Sequence, residues 1–167
     1  MRFTVFPNRS AQWKTERDEP WSVVCDMVAN IAEYESKEAG EWISLAVYGD
    51  KRSPKNSLRY AGNVLAITGL EGDHDAGTVS IEEAAERARQ AGFMACLYTT
   101  ASHTPEAPRW RILVPLAIER PLSERDALMD RLNGALGGAL TNESWTHSQA
   151  FLLGRVRGVP YRCINVA

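Results

Sequence analysis

Apolar residues along the chain fall into short runs of strand length and into stretches with helical spacing. Strands are predicted at residues 2–6 and 43–48, where apolar residues dominate. Between these strands a helix is predicted after Pro20, a residue suited to the first helical turn. The apolar positions of this helix recur every three or four residues and are Trp21, Val24, Cys25, Val28 and Ile31. The beginning of the chain is therefore predicted to run strand, helix, strand.

The middle of the chain holds a β-type apolar run at residues 64–67, which leads directly into an acidic segment at residues 71–77. Ser80 followed by Glu83 forms a capping box and predicts the start of a helix. Gly92 predicts its end, because glycine readily adopts the left-handed conformation that terminates helices. The acidic segment is therefore predicted to join a strand to a helix.

The rest of the chain is rich in strands. A helix capped by Ser123 is predicted to end at Gly137 and Gly138. The remaining strands are predicted at residues 94–99, 110–117, 151–157 and 161–166. Strands outnumber helices and do not alternate strictly with them, so we expect an α+β fold with a mixed or antiparallel sheet flanked by helices.

Length and composition indicate one soluble domain. The chain has 167 residues, 44% of them hydrophobic and 24% charged, which excludes disordered and fibrous classes. No apolar segment approaches the roughly 20 residues of a membrane helix. Residues 1–7 also lack the apolar centre of a signal peptide. We therefore expect a cytoplasmic protein without a membrane partner.

The overall charge is slightly acidic, with a formal net charge of −2 and an isoelectric point near 5.9. These values exclude a protein that binds nucleic acid through overall positive charge, so a polyanion must meet a local patch. A basic segment at residues 51–59 is predicted to be an exposed loop. Its basic residues are Lys51, Arg52, Lys55 and Arg59.

The cysteines are Cys25, Cys96 and Cys163, which are distant from one another in sequence and odd in number. Neither a disulfide framework nor a paired-cysteine zinc site is expected from this spacing. We expect reduced thiols in the core.

An acidic cluster follows the central strand, with Glu71, Asp73 and Asp75 at alternate positions. Alternate residues of a strand project from one face, so the three carboxylates are predicted to crowd together. Such a cluster either binds divalent cations or is a solvated acidic turn before a helix. A calcium loop is a poorer match, because Ala76 stands where the sharp turn requires glycine.

Two further polar clusters follow strands. Ser102, His103, Arg109 and Arg111 form a plausible anion site, since hydroxyl, imidazole and guanidinium groups can all donate to phosphate oxygens. An ordinary loop histidine and the solvent face of a strand are the alternatives. The last cluster is the polar segment 142–149, which contains Glu143 and His147, followed by a strand that carries Arg155 and Arg157. By itself this segment is also consistent with a capped loop.

The order and spacing of these clusters resemble the archaeo-eukaryotic primase superfamily, the primase-polymerases, especially the catalytic domains of phage and plasmid replication proteins. Asp73-His74-Asp75 is similar to the acidic pair of that family, and Ala101-Ser102-His103 is similar to its second motif. The segment 109–116 is similar to the strand that follows. The third motif matches least well, and Glu143 stands where many relatives have aspartate.

The resemblance implies a catalytic core related to the RNA recognition motif, with residues 1–167 forming one catalytic domain, either complete or the N-terminal part of a longer replication protein. It implies nucleotidyl transfer on a single-stranded DNA template, with nucleoside triphosphates as substrates and a helicase as a further candidate partner. Asp73, Asp75 and His103 would be catalytic. The implied ligands of Mg²⁺ or Mn²⁺ are Asp73, Asp75 and Glu143. The implied nucleotide-binding residues are Ser102, His103 and Arg111, and the implied DNA-binding residues are Lys51, Arg52, Lys55, Arg59, Arg155 and Arg157.

Two other functions remain open at this point. A catalytically silent primase-like module would bind nucleic acid or protein through the same fold. A metal-dependent nuclease would use the same carboxylates to cleave phosphodiesters.

Overall fold

The computed structural model describes residues 1–167 and contains eleven strands and three α-helices. The helices are α1 (Trp21–Ala29), α2 (Ile81–Gln90) and α3 (Arg125–Ala135). The first six strands are β1 (Arg2–Phe6), β2 (Thr15–Asp18), β3 (Glu33–Tyr34), β4 (Glu41–Ser44), β5 (Ala46–Tyr48) and β6 (Val64–His74). The others are β7 (Ala95–Thr99), β8 (Trp110–Arg120), β9 (Phe151–Leu153), β10 (Arg155–Val156) and β11 (Cys163–Val166).

The strands form two antiparallel sheets and one short parallel pair. The larger sheet has five strands in the order β11-β7-β8-β6-β5, and the smaller has four in the order β2-β1-β4-β9. Strands β10 and β3 pair in parallel beside them. The predicted α+β class with antiparallel sheets is confirmed.

The five-stranded sheet buries both of its faces, because alternate residues of its strands point to opposite sides. Leu97 and Ile112 belong to the core cluster that also contains residues of α2 and α3. Their neighbours Tyr98 and Leu113 belong to a second cluster, shared with α1 and the four-stranded sheet. The larger sheet is therefore the middle layer of the fold.

The predicted strand at residues 43–48 is divided at Leu45, and its two parts, β4 and β5, belong to different sheets. The Leu45 carbonyl accepts hydrogen bonds from the N–H groups of Thr68 (2.9 Å) and Gly69 (3.1 Å). The Leu45 N–H donates to the Glu71 carboxylate. These contacts with β6 hold the chain where it crosses from one sheet to the other.

The two predicted helix starts have different outcomes. Ser80 caps α2 as predicted, since its hydroxyl accepts a hydrogen bond from the Glu83 N–H at 3.1 Å. The prediction that Ser123 caps the next helix is wrong. Ser123 lies within a 3₁₀ turn (Leu122–Glu124), and α3 begins at Arg125 without a side-chain cap.

The predicted ends of these helices agree with the backbone. Gly92, after α2, has φ of +72°, and Gly137 and Gly138, after α3, have φ of +70° and +77°. Glycine adopts this left-handed conformation without the steric penalty that a Cβ atom imposes.

Two differences from the predicted strands concern polar or glycine-containing segments. The predicted strand at 151–157 is interrupted at Gly154, where a Cβ atom would lie 2.5 Å from the Tyr34 ring. Strand β2 has the polar sequence TERD and was not predicted. It is an exposed edge strand, so no hydrophobic alternation marks it.

The three cysteines are free thiols, and the predicted core position is confirmed for Cys25 and Cys96 but not for Cys163, which is only partly buried. The sulfur atoms of Cys96 and Cys163 lie 3.6 Å apart on the neighbouring strands β7 and β11. No helix is both long enough and apolar enough to cross a membrane.

Candidate functional site

Two aspartates meet two arginines where β6 ends. The register of β6 and β8 places Asp73 opposite Arg111, and the Arg111 Nε donates to Asp73 Oδ1 at 2.9 Å. Asp75 lies on the same side of the chain, 3.9 Å from the Arg109 guanidinium. The Asp73–Arg111 pair is largely buried, with side chains 11% and 15% exposed, whereas the Asp75–Arg109 pair is open to solvent.

The Asp73–Arg111 pair lies in an environment of low polarity. Burial raises the pKa of the Asp73 carboxyl above its ordinary value; the charge of Arg111 opposes this rise and that of Asp75 adds to it. The Arg111 guanidinium also lies over the Phe151 ring, 4.6 Å from its centroid. Asp73 is thus a buried carboxyl with one guanidinium partner and a neighbouring carboxylate.

Residues of the segment after α3 hold the backbone of Asp73. Strand β5 pairs with β6 only as far as Ile67, so the edge of β6 near Asp73 has no neighbouring strand on that side. The Asp73 N–H donates to Ser144 Oγ (3.0 Å), and the Asp73 carbonyl accepts from the Thr141 N–H (2.8 Å) and hydroxyl (3.0 Å). The sequence analysis missed both residues. Thr141 directly precedes the 3₁₀ turn Asn142–Trp145 and Ser144 lies within it. Hydroxyl residues are common at such positions in loops, so neither residue gave a specific signal in the sequence.

Glu71 shares the face of Asp73 but is part of the core. Its carboxylate lies 3.4 Å from the Arg125 guanidinium of α3 and accepts a hydrogen bond from Ser44 Oγ at 3.1 Å. Arg125 also donates to the Ser144 carbonyl at 2.8 Å. Burial raises the pKa of Glu71, and Arg125 opposes this rise. Glu71 therefore connects β6 to α3 and is closed to solvent.

His74, between the two aspartates, points to the opposite face of the sheet. Its ring stacks on Trp110 with centroids 4.8 Å apart. Its Nε2 accepts from the N–H groups of Thr78 and Val79, both at 3.2 Å. Its Nδ1 must then carry the proton, which it donates to the Ala139 carbonyl at 2.6 Å. His74 is a neutral structural residue that holds the loop after β6.

The second cluster adjoins the first through Arg109. The Arg109 N–H donates to His103 Nδ1 at 3.1 Å, and the Arg109 side chain is the one that faces Asp75. His103 lines a cavity of about 300 Å³ together with Ser80, Glu82 and Arg162. Ser102 is exposed and accepts a hydrogen bond from Lys37 at 3.1 Å. Neither Ser102 nor His103 makes a hydrogen bond or ion pair with Asp73 or Asp75.

The structure does not join the side chains of the third cluster to the aspartates. The Glu143 side chain is exposed and makes no hydrogen bond or ion pair. His147 pairs with Asp126 at 2.9 Å. Arg155 and Arg157 pair with the exposed Glu33 at 3.4 and 3.3 Å. This part of the chain contributes to the site through Thr141, which directly precedes the predicted segment 142–149, and through Ser144, which lies within it.

The predicted basic loop is an exposed surface segment on the other side of β5. Lys51 and Lys55 are exposed and make no ion pair. Arg52 Nη1 donates to the carbonyls of Gln12 (2.9 Å) and Asn56 (3.2 Å). Arg59 is half-buried and donates to the Arg9 carbonyl at 3.4 Å.

The two carboxylates at the end of β6 could hold a hard divalent cation that a bound substrate and water also ligate. No group of three or more histidine, cysteine, aspartate or glutamate side chains is arranged to hold a metal ion. Mg²⁺, however, is commonly held by one or two carboxylates, with substrate phosphates and water completing its shell. Asp73 and Asp75 supply such a pair, and Arg109 and Arg111 are guanidinium groups suited to the phosphates.

Comparison with protein-family models, curated proteins and solved structures finds no match.

Proposed function

We propose that this protein is a metal-dependent primase-polymerase of the archaeo-eukaryotic primase type, which joins nucleotides on a single-stranded DNA template in phage or plasmid replication. The observation that carries the proposal is the arrangement at the end of β6, where Asp73 and Asp75 face Arg111 and Arg109. Carboxylates for a divalent cation and guanidinium groups for phosphates are both needed for nucleotidyl transfer. An antiparallel sheet with α2 and α3 on one face supports a relation to the RNA recognition motif.

Asp73 and Asp75 would hold Mg²⁺ or Mn²⁺. When bound, such an ion neutralises charge on phosphoryl oxygens and favours ionisation of an attacking hydroxyl. The chain's own contribution is position, because hydrogen bonds to both backbone groups of Asp73 fix where its carboxylate lies.

Arg111 and His103 are the proposed partners of the triphosphate. Arg111 is held by the Phe151 ring, by one oxygen of Asp73 and by the buried Tyr98 hydroxyl, and its remaining N–H groups would donate to phosphate oxygens. The His103 Nδ1 accepts a hydrogen bond, so the neutral ring carries its proton on Nε2 and can donate from there. Ser102 adds an exposed hydroxyl beside them.

Primer extension on single-stranded DNA with Mg²⁺ or Mn²⁺ tests this function. Asp73→Asn and Asp75→Asn each retain side-chain size and remove the negative charge, so each is expected to abolish extension. Asp73→Asn also leaves Arg111 without its ionic partner and is expected to lower the melting temperature, whereas the exposed Asp75→Asn should not. Asp26→Asn is the matched control, because Asp26 is exposed on α1 and its side chain makes no hydrogen bond or ion pair. Wild-type activity in the Asp73→Asn, Asp75→Asn double variant would refute the two-carboxylate assignment.

A catalytically silent binding module is the second candidate, and two observations favour it. Arg111 already neutralises Asp73, and Glu143 makes no contact with the aspartates. Thermal unfolding with Mn²⁺ and a nucleoside triphosphate separates the candidates, since a ligand that binds only the folded state raises the melting temperature. The silent module is expected to bind single-stranded DNA with no such shift and no extension.

A further inference from the structure

A basic cavity lies between the segment after β1 and the basic loop. It has a volume of about 690 Å³; Pro54 and Tyr60 form part of its wall, and the other lining residues are three cations and three serines, without any carboxylate. These residues are Arg9, Ser10, Ser53, Lys55, Ser57 and Arg59. The composition of the wall is that of a site for an anion.

The three cations of this cavity make no ion pair within the protein, although the pKa of the nearby Glu38, lowered mainly by a hydrogen bond from Ser36, is lowered further by the charge of Arg9. The Arg59 guanidinium donates to the Arg9 carbonyl and lies over the face of the Trp42 ring. Burial lowers the pKa of Arg59, and the charge of Arg9 adds to this effect. A bound anion would therefore relieve an unfavourable arrangement of positive charge.

Two hydroxyls of the cavity, those of Ser53 and Ser57, have a proton left to donate, whereas the Ser10 hydroxyl already donates to Asn8 Oδ1 at 2.5 Å. Ser53 Oγ accepts from the Ser57 N–H, and Ser57 Oγ accepts from the Arg59 N–H, both at 3.2 Å. A hydroxyl whose oxygen accepts in this way still has its proton to donate. Two hydroxyl donors therefore accompany the three cations.

An aromatic ring lies next to this loop. Trp13 is 70% exposed, and the Arg52 guanidinium lies 5.7 Å from its centroid. Arg52 also donates to the carbonyls of Gln12 and Asn56, which ties the Trp13 segment to the loop that forms the cavity. An exposed indole beside a basic groove is the arrangement by which proteins stack the bases of single strands.

We infer that the cavity and Trp13 form a binding site for single-stranded DNA, in which Arg9, Lys55 and Arg59 bind backbone phosphates and Trp13 stacks on a base. The choice of single-stranded DNA as the ligand rests on the proposed function. The site adds Arg9, Trp13 and the serine hydroxyls to the basic residues that the sequence indicates.

Fluorescence anisotropy of a labelled oligodeoxythymidylate tests the site in the full chain. Trp13→Ala is expected to weaken binding about 5- to 150-fold, the range for loss of one stacked base, and Trp13→Phe is expected to retain most of the affinity. Lys55→Ala is expected to lower the slope of log affinity against log salt concentration by about 0.7, the value for one phosphate contact on a single strand. Arg131→Ala is the control, because Arg131 is an exposed cation on α3 without an ion pair.

Further ligands and variants distinguish the outcomes. An oligomer with abasic sugars should bind wild type and Trp13→Ala equally, because only the phosphates remain. Equal binding of oligodeoxythymidylate by wild type, Trp13→Ala and Lys55→Ala would overturn the inference. Inhibition by inorganic triphosphate alone, with no difference at Trp13, would also overturn it and indicate a site for free phosphates. The Asp73→Asn, Asp75→Asn variant should bind the oligomer like wild type. DNA binding at the cavity can therefore be tested even if the proposed catalytic activity is absent.

Discussion

The ion pair of Glu71 and Arg125 offers a sharp test of how the candidate site is supported. Arg125→Met removes the guanidinium and keeps a long apolar side chain in a position that is 1% exposed. The Glu71 side chain, 3% exposed, would keep its hydrogen bonds from Ser44 and the Leu45 N–H but lose its only positive partner. Removing one member of a buried pair typically costs about 3–5 kcal/mol of the free energy of unfolding, because the other charge stays buried.

This cost can be measured by urea denaturation and by the melting temperature. For a chain of this size, about 1 kcal/mol corresponds to roughly 2–4 °C, so Arg125→Met is expected to melt about 6–20 °C below wild type. Adding Glu71→Gln should restore part of the stability, since no charge then remains uncompensated. Arg131→Met, on the exposed side of the same helix, should change the free energy of unfolding by less than about 0.5 kcal/mol.

The pH dependence of the same variant gives an independent check. Without Arg125, burial should raise the pKa of Glu71 further, so the folded state binds a proton more readily than the unfolded state. Stability then increases as the pH falls through the raised pKa, and the deficit of Arg125→Met should be smaller at pH 5 than at pH 8. A variant within about 1 kcal/mol of wild type at pH 8, or a double variant as unstable as the sum of the singles, would refute the reasoning.

Three further substitutions test a local hydrogen bond and backbone packing by urea denaturation. Ser144→Ala leaves the Asp73 N–H without its acceptor, so we expect the free energy of unfolding to fall by about 1–3 kcal/mol. Primer extension by this variant should also require more Mn²⁺. Unchanged values in both assays would contradict the positioning role of Ser144. Gly69→Ala would place a Cβ atom 2.7 Å from the Val114 carbonyl oxygen in the middle of the sheet and should cost about 1–3 kcal/mol. Gly134→Ala, in α3 with open space around it, should stabilise by about 0.5–1 kcal/mol, and the same sign for both alanines would contradict the contact argument.

Alternation along a strand made part of the site predictable. Asp73 and Asp75 were expected on one side of the chain, and the structure places Asp73 beside Arg111 of β8 and Asp75 beside Arg109, which directly precedes β8. Their partners could not be predicted, because the pairing of Asp73 with Arg111 depends on the register between two strands. Glu71 shows the same limit, since its position on the strand matched the prediction but its burial against α3 made it structural.

Long-range packing places other residues in ways that the sequence did not indicate. Glu143 was selected for its charge, yet the neighbouring Ser144 reaches Asp73, because a short hydroxyl can close the free edge of β6. Cys96 and Cys163 seemed unrelated from their spacing, and the antiparallel pairing of β7 and β11 brings their sulfur atoms to 3.6 Å. Trp13 carried no motif, and the Arg52 guanidinium lies over its ring only in the folded chain.

The charges of the candidate site favour joint binding of a cation and an anion. Two carboxylates and two guanidinium groups balance one another in the protein alone. A divalent cation by itself would face Arg109 and Arg111, and a triphosphate by itself would face Asp73 and Asp75, so each ligand alone meets repulsion. A metal–triphosphate complex presents both signs, and can give the carboxylates a cation while the guanidinium groups take the phosphates. The Asp73–Arg111 pair is therefore consistent with an active site at rest as well as with a silent one, and the thermal shift with both ligands together distinguishes them.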